Sequence, residues 1–189
     1  RLRREKHEMA CFTFLLGSYA PETDANVTCC MNVIELLKKE GHEVVCVCGT
    51  LEKNRIDCID DVDIYRVHHN SYDYALKSAK SKWKKAALRI SHFLHSVCVL
   101  PFFPNTEIGY SIKLYRELKR VGKEKQIDCV IGVFRPFATV QAAIWYGKKY
   151  KCKTVGYYLD VLKGADIPTG APNKIYHQYL LSSSHPYVF

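Results

Sequence analysis

Apolar and polar positions change period several times along this chain. Cys11 to Leu16 is a short apolar run stopped by Gly17, the pattern of a buried parallel strand leaving its sheet into a turn. After the polar stretch Ser18 to Asp24, the apolar positions Val27, Cys30, Met31, Ile34 and Leu37 recur at helical spacing. Asp24 suits the N-cap of that helix, and Lys38, Lys39 and Gly41 suit its end. Val44 to Cys48 then predicts a second buried strand, with Cys46 and Cys48 on one face, so the opening unit reads as a right-handed βαβ crossover.

Ile64 to Val67 predicts a shorter third strand. The carboxylates before it, Asp57, Asp60, Asp61 and Asp63, admit a metal site, but a solvated loop is the preferred reading. From Leu76 to Val97 the positions Leu76, Ala79, Trp83, Ala86, Ala87, Ile90, Phe93, Leu94 and Val97 keep a three-four rhythm that predicts one amphipathic helix. Lys77, Lys84, Lys85 and Arg89 fall largely opposite that stripe, with Lys80 and Lys82 at its borders. Pro101 and Pro104 close the segment, and Ile108 to Lys119 begins another helix. Cys129 to Val133 repeats the character of the first strand. The loop Phe134 to Phe137, a helix from Thr139 to about Tyr150 and a strand from Thr154 to Leu159 ending at Asp160 follow it. A Gly/Pro loop at Gly164, Pro168, Gly170 and Pro172 precedes a last helix, Tyr176 to Leu181. This order predicts an α/β fold, a Rossmann-like open parallel sheet flanked by helices.

Length and composition agree with one globular domain: 189 residues, 48% hydrophobic and 25% charged. The charged residues 1–8 are expected outside the fold, leaving 9–189 as the domain. Nine cysteines, an odd number without a spaced framework, read as reduced thiols of a cytoplasmic protein. No Cys-x-x-Cys or His-x-x-x-His pair occurs, so no metal site is expected, and the eight scattered histidines read as structural or exposed. No apolar stretch approaches the roughly 20 residues that cross a bilayer. The net charge of +9 gathers in Lys77, Lys80, Lys82, Lys84, Lys85 and Arg89, which points to an anionic partner or surface.

Ligands of an open parallel sheet bind beyond the carboxyl ends of its strands, where loops and helix N-termini converge. The turn Gly17 to Asp24, the loop Phe134 to Phe137 and the strand end at Asp160 all arrive there. The first turn lacks Gly-x-Gly-x-x-Gly, and the chain has no Walker A run and no Gly-x-Ser-x-Gly elbow, which argues against nicotinamide chemistry, phosphate-loop hydrolysis and α/β-hydrolase chemistry. Arg135 suits a bidentate clamp on phosphate or carboxylate, or equally a surface ion pair. Asp160 suits a general base or an orienter of a sugar hydroxyl, or equally a cap of the following loop.

The run Phe14-Leu15-Leu16-Gly17-Ser18-Tyr19-Ala20-Pro21-Glu22-Thr23-Asp24-Ala25-Asn26, followed by Lys38-Lys39-Glu40-Gly41-His42-Glu43-Val44, resembles the opening of bacterial family 4 glycosyltransferases of the GT-B fold. Asp128 to Val133, Arg135-Pro136-Phe137 and Gly156-Tyr157-Tyr158-Leu159-Asp160 are similar to that family's later strands. The resemblance implies the N-terminal, acceptor-binding half of such an enzyme, of the polysaccharide type. Gly17, Tyr19, Glu22, Thr23, Asn26 and Arg135 would line the substrate side, and Asp160 would face the cleft as its catalytic residue. It implies transfer of a sugar to a lipid-linked or saccharide acceptor without an obligatory metal or resident cofactor. The sugar nucleotide donor is expected only with a C-terminal domain or separate subunit outside these residues, so the chain alone is expected to be inactive. Asp24 stands where relatives often carry glycine.

Three readings of the Leu76 to Val97 helix remain: a core helix with a solvated lysine face, a surface docked on an anionic membrane through Lys77, Lys80, Trp83, Lys84, Lys85 and Arg89, or a nucleic-acid surface, which no recognised module accompanies. The resemblance favours the membrane, at its inner face. The alternative in function is a non-catalytic Rossmann-like module whose basic face binds a membrane or polyanion.

Overall fold

A computed structural model describes residues 9–20, 25–69, 72–99, 107–134 and 136–158. Its elements are β1 (Cys11–Leu16), α1 (Ala25–Lys39), β2 (Glu43–Thr50), β3 (Arg55–Ile59), β4 (Val62–His68), α2 (Tyr72–Ser78), α3 (Lys82–Val99), α4 (Ile108–Glu124), β5 (Cys129–Phe134), α5 (Phe137–Tyr150) and β6 (Lys153–Tyr158). They form one six-stranded sheet in the order β3-β4-β2-β1-β5-β6, parallel except for β3. The expected Rossmann-like parallel sheet is therefore present. The leader 1–8, the N-cap residue Asp24 and the expected helix Tyr176 to Leu181 lie outside the described residues.

β1 is central and apolar on both faces, so helices must cover both. Leu15, Val45, Val47, Tyr65 and Val67 pack on α4 and α5 through Leu114, Leu118, Val121, Ala142 and Ala143. Phe14, Leu16, Cys46, Cys48 and Ile64 pack on α1 through Val27, Cys30 and Ile34. Cys46 and Cys48 share a face as their alternation requires, and burial pushes the Cys48 thiol up to about 11, which makes it a packing group and not a nucleophile. α5 sits close on β5: a Cβ at Gly132 would lie 2.8 Å from the Val140 Cα. α1 ends as its sequence predicts, with Gly41 at φ +85 and the N–H groups of Gly41 and His42 donating to Lys38 O and Leu37 O.

Two expectations need correction. The acidic stretch is not a solvated loop. Asp57 belongs to β3, Asp60 and Asp61 form the two-residue hairpin turn at φ 50 and 59, and Asp63 belongs to β4. β3 is a five-residue edge strand whose Ile56 and Cys58 are exposed, and its short alternation is outweighed in the sequence by the aspartates around it; aspartate tolerates the left-handed conformation that a tight hairpin turn demands. The helix expected from Leu76 to Val97 is two helices. Ser78 Oγ bonds back to Ala75 O at 3.1 Å, and Ser81 starts the second helix, its carbonyl accepting the Lys85 N–H at 3.1 Å. Serine hydroxyls compete with the helix ladder in this way.

Arg66 of β4 is buried, and its guanidinium is neutralised by Asp57 on β3. Hydrogen bonds from Arg66, then from Arg55, hold the Asp57 carboxyl below its ordinary value. Its folded value lies under its unfolded one, so the pair's contribution is complete at neutral pH, begins to fall at the ordinary aspartate value and is lost as pH drops through the lowered folded value. Asp57→Asn is expected to cost about 1.5 to 3 kcal/mol at neutral pH by urea unfolding, and less in acid. Parallel acid profiles for the two proteins would show that the pair contributes nothing.

Candidate functional site at the carboxyl edge

The parallel strands β1, β2, β4, β5 and β6 all end at one edge. From β1 the chain passes through α1 to β2 on one side, and from β5 through α5 to β6 on the other. α1 and α5 lie on opposite faces. The chain directions therefore diverge between β1 and β5, which opens a crevice at that point.

The β1 side of the crevice is fastened by Arg66. Its guanidinium donates to Tyr19 O at 3.2 Å, to Ala20 O and, more weakly, to Cys48 Sγ at 3.8 Å. One buried side chain thus ties the turn after β1 to the β3-β4 hairpin. Tyr19 reaches the site through its backbone. Its ring lies in the core on the α1 face, and burial pushes its hydroxyl up to about 12. Gly17 O accepts the Gly49 N–H at 3.2 Å, so the ends of β1 and β2 stay in contact.

On the β5 side, the hydroxyl of buried Thr139 sits between Val133 O at 2.5 Å and Pro136 O at 2.6 Å, which shapes the tight entry to α5. The N-cap of α5 is Pro136, which offers no side-chain acceptor, and the first turn of α5 holds no acid. That end of the helix suits a negative group. Phe134 and Tyr158 meet with ring centroids 5.6 Å apart and pack with Val140 and Ile144 of α5, which fixes β5 and β6 against that helix.

A third cluster, passed over in the sequence, follows β4. His69 N–H donates to Thr50 O at 2.8 Å, its ring stacks on Tyr110 with centroids 4.1 Å apart, and its Nε2 lies 3.4 Å from Glu107 Oε1. The Tyr110 hydroxyl is buried without a hydrogen-bond partner among the described residues, and burial raises its pKa above the ordinary tyrosine range. The only sequence signal for this cluster was the pair His68-His69 at the end of a strand.

Of the residues expected at the site, Glu22, Thr23, Arg135 and Asp160 lie outside the described residues, as does the side chain of Asn26, whose backbone is in the first turn of α1. Gly17 and the Tyr19 backbone do arrive at the edge. Lys77, Lys80, Trp83, Lys84, Lys85 and Arg89 are exposed on α2, the link after it and α3. The core-helix reading of this segment is overturned, because the apolar stripe of α3 faces solvent and not the sheet. Among the described residues, no group of three His, Cys, Asp or Glu side chains is placed to hold a metal ion, and no helix is long and apolar enough to cross a membrane.

No protein-family profile matches the chain, and no curated protein matches it in sequence. Solved structures match in fold. One is an E. coli trehalose-6-phosphate structure bound with UDP-2-fluoro glucose, with a TM-score of 0.53 and 11% identity over 93% of this chain and 38% of that one. Another is an alpha,alpha-trehalose 6-phosphate synthase from Burkholderia multivorans, with a TM-score of 0.50 and 14% identity over the same shares. The chain has the Rossmann-like fold of a GT-B glycosyltransferase domain and spans well under half the length of these structures.

A Cβ at Gly49 would lie 2.6 Å from both Gly17 O and Tyr110 Oη. Because one of these atoms is backbone, Gly49→Ala should destabilise by about 1 to 3 kcal/mol. Tyr110→Phe should be neutral or stabilising by on the order of 1 kcal/mol, since it removes an unpaired buried hydroxyl. Urea unfolding of both variants and the double mutant checks this; a marked loss in Tyr110→Phe would reveal a bond to that hydroxyl.

Proposed function

We propose that this chain is the N-terminal, acceptor-binding half of a family 4-type glycosyltransferase that moves a sugar from a sugar nucleotide to a lipid-linked or polysaccharide acceptor. The observation that carries the proposal is the reversal of strand order between β1 and β5, the place where open parallel sheets bind ligands, set in a fold shared with a structure that holds a sugar nucleotide analogue. In this reading Asp160, following β6, takes the proton of the acceptor hydroxyl as its oxygen joins the sugar and the nucleoside diphosphate departs. Arg135 steadies an anionic group of acceptor or donor. Gly17, Tyr19, Glu22, Thr23 and Asn26 shape the opposite wall. The donor is gripped by a second domain or subunit, so the chain is inactive alone and needs no resident cofactor.

The work is placed in the cytoplasm, in surface or capsular polysaccharide assembly. A lipid-linked acceptor is met at a membrane face, and Lys77, Lys80, Lys84, Lys85 and Arg89 with Trp83 are the residues offered to it. The rival reading, a non-catalytic binding module, draws on the same basic face and needs only the fold.

The deciding measurement is sugar-nucleotide turnover by this chain joined to a donor-binding half, with lipid and saccharide acceptors. Turnover is expected, with Asp160→Asn lowering kcat by about 100-fold or more. Undiminished turnover in that variant would remove Asp160 from the site. No transfer with any donor would favour the binding module.

A further inference from the structure

α3 is a helix whose apolar side has been left outside the molecule. At about 100° per residue, Phe93, Val97, Ile90, Trp83 and Leu94 fall, with Ala86 and Ala87 between and beside them, within an arc of roughly 120°. The structure leaves them open to solvent: Trp83 is 86% exposed, Phe93 67%, Ile90 62%, Leu94 57% and Val97 47%. Burial of large apolar side chains is favourable, so a contiguous face of five marks a surface made to be covered. The helix touches its neighbour by another side, where His92 stacks on Tyr72 of α2 with ring centroids 3.9 Å apart and Leu88 is half-buried. The apolar arc is therefore not the side that anchors α3 to the body.

Charge decides what covers it. α3 carries Lys82, Lys84, Lys85 and Arg89, and the sequence has no acidic residue from 74 to 106. Lys82 and Arg89 border the arc on one side and Lys84 stands beyond its other border. Two copies of α3 packed face to face would bring these cations together with no carboxylate of the helix between them. An anionic lipid surface instead accepts both features at once: the arc enters the acyl boundary while the flanking cations reach back to the headgroups.

We propose that α3 is a membrane-docking helix that lies in the plane of an anionic bilayer, with the arc centred on Trp83 and Ile90 inserted. This deepens the membrane limb of the proposed function by naming the inserting residues. It needs no glycosyl transfer, so it stands or falls separately.

The test uses the whole chain with no sugar or nucleotide present. Of its two tryptophans, Trp145 is changed to phenylalanine so that Trp83 alone reports by fluorescence. Vesicles of phosphatidylglycerol and phosphatidylcholine in equal parts should sediment the protein and shift Trp83 emission to the blue, and added salt should weaken both effects. Pure phosphatidylcholine should bind at least tenfold more weakly. Phe93→Ser with Leu94→Ser, both exposed and so neutral for folding, should abolish the shift. Lys84→Glu with Lys85→Glu should lower binding by roughly tenfold or more. Equal binding to neutral vesicles, or full binding by the Phe93/Leu94 double variant, would overturn the proposal. So would self-association without vesicle binding, if the same double variant abolished it; that result would assign the arc to a second copy.

Discussion

Everything in this fold hangs on β1 being paired on both sides. It takes its register from β2, with Phe12 opposite Val44, and from β5, with Phe12 opposite Cys129. A strand hydrogen-bonded on both edges and apolar on both faces must lie at the centre of a three-layer structure. The position of the crevice follows from this. With β2 on one side and β5 on the other, the outgoing chains diverge at the carboxyl end of β1, and no side chain chooses that place.

The two edges of the sheet are treated differently. At the amino edge, polar groups close on one another: Asp128 accepts the Cys11 N–H at 2.8 Å, and Lys125 bridges Glu43 at 2.7 Å and Asp63 at 2.5 Å. At the carboxyl edge, Arg66 spends its donors on the backbone of a turn and Thr139 on the entry to a helix. These bonds order loops and do not seal the edge. A buried guanidinium needs a carboxylate nearby to be tolerated, and the antiparallel β3 delivers Asp57 for that purpose. The hairpin is thus part of what holds the ligand-side turn in place.

Among the described elements, α3 is the one whose local and global preferences disagree most plainly. Its sequence is built to bury a stripe, yet the sheet's two faces are already covered by α1, α4 and α5. In a consistent design such conflicts mark places where something other than folding set the residues. The basic flanks add the sign of what that something carries.

The parallel sheet, the βαβ opening, α1 with its glycine end and the strands β2 and β5 were legible in the sequence, because burial on both sides or on one stripe leaves a periodic apolar record. Gly17 was legible as an edge residue for the same reason, since strand ends can be read from where an apolar run stops; the expected loop from Phe134 to Phe137 is shorter, because Phe134 closes β5 and Phe137 opens α5. The structure alone revealed β3, a five-residue edge strand among acidic residues whose short alternation of Ile56 and Cys58 with Arg55 and Asp57 is turned to solvent and not to the core. It also brought together Arg66 with Tyr19 and Ala20, and His69 with Tyr110 and Glu107, groups separated by some 40 residues that meet only once β4 pairs with β2. And it decided the fate of α3. Periodicity states that a helix has an apolar side, but only the packing of the remaining elements determines whether that side is turned in or out.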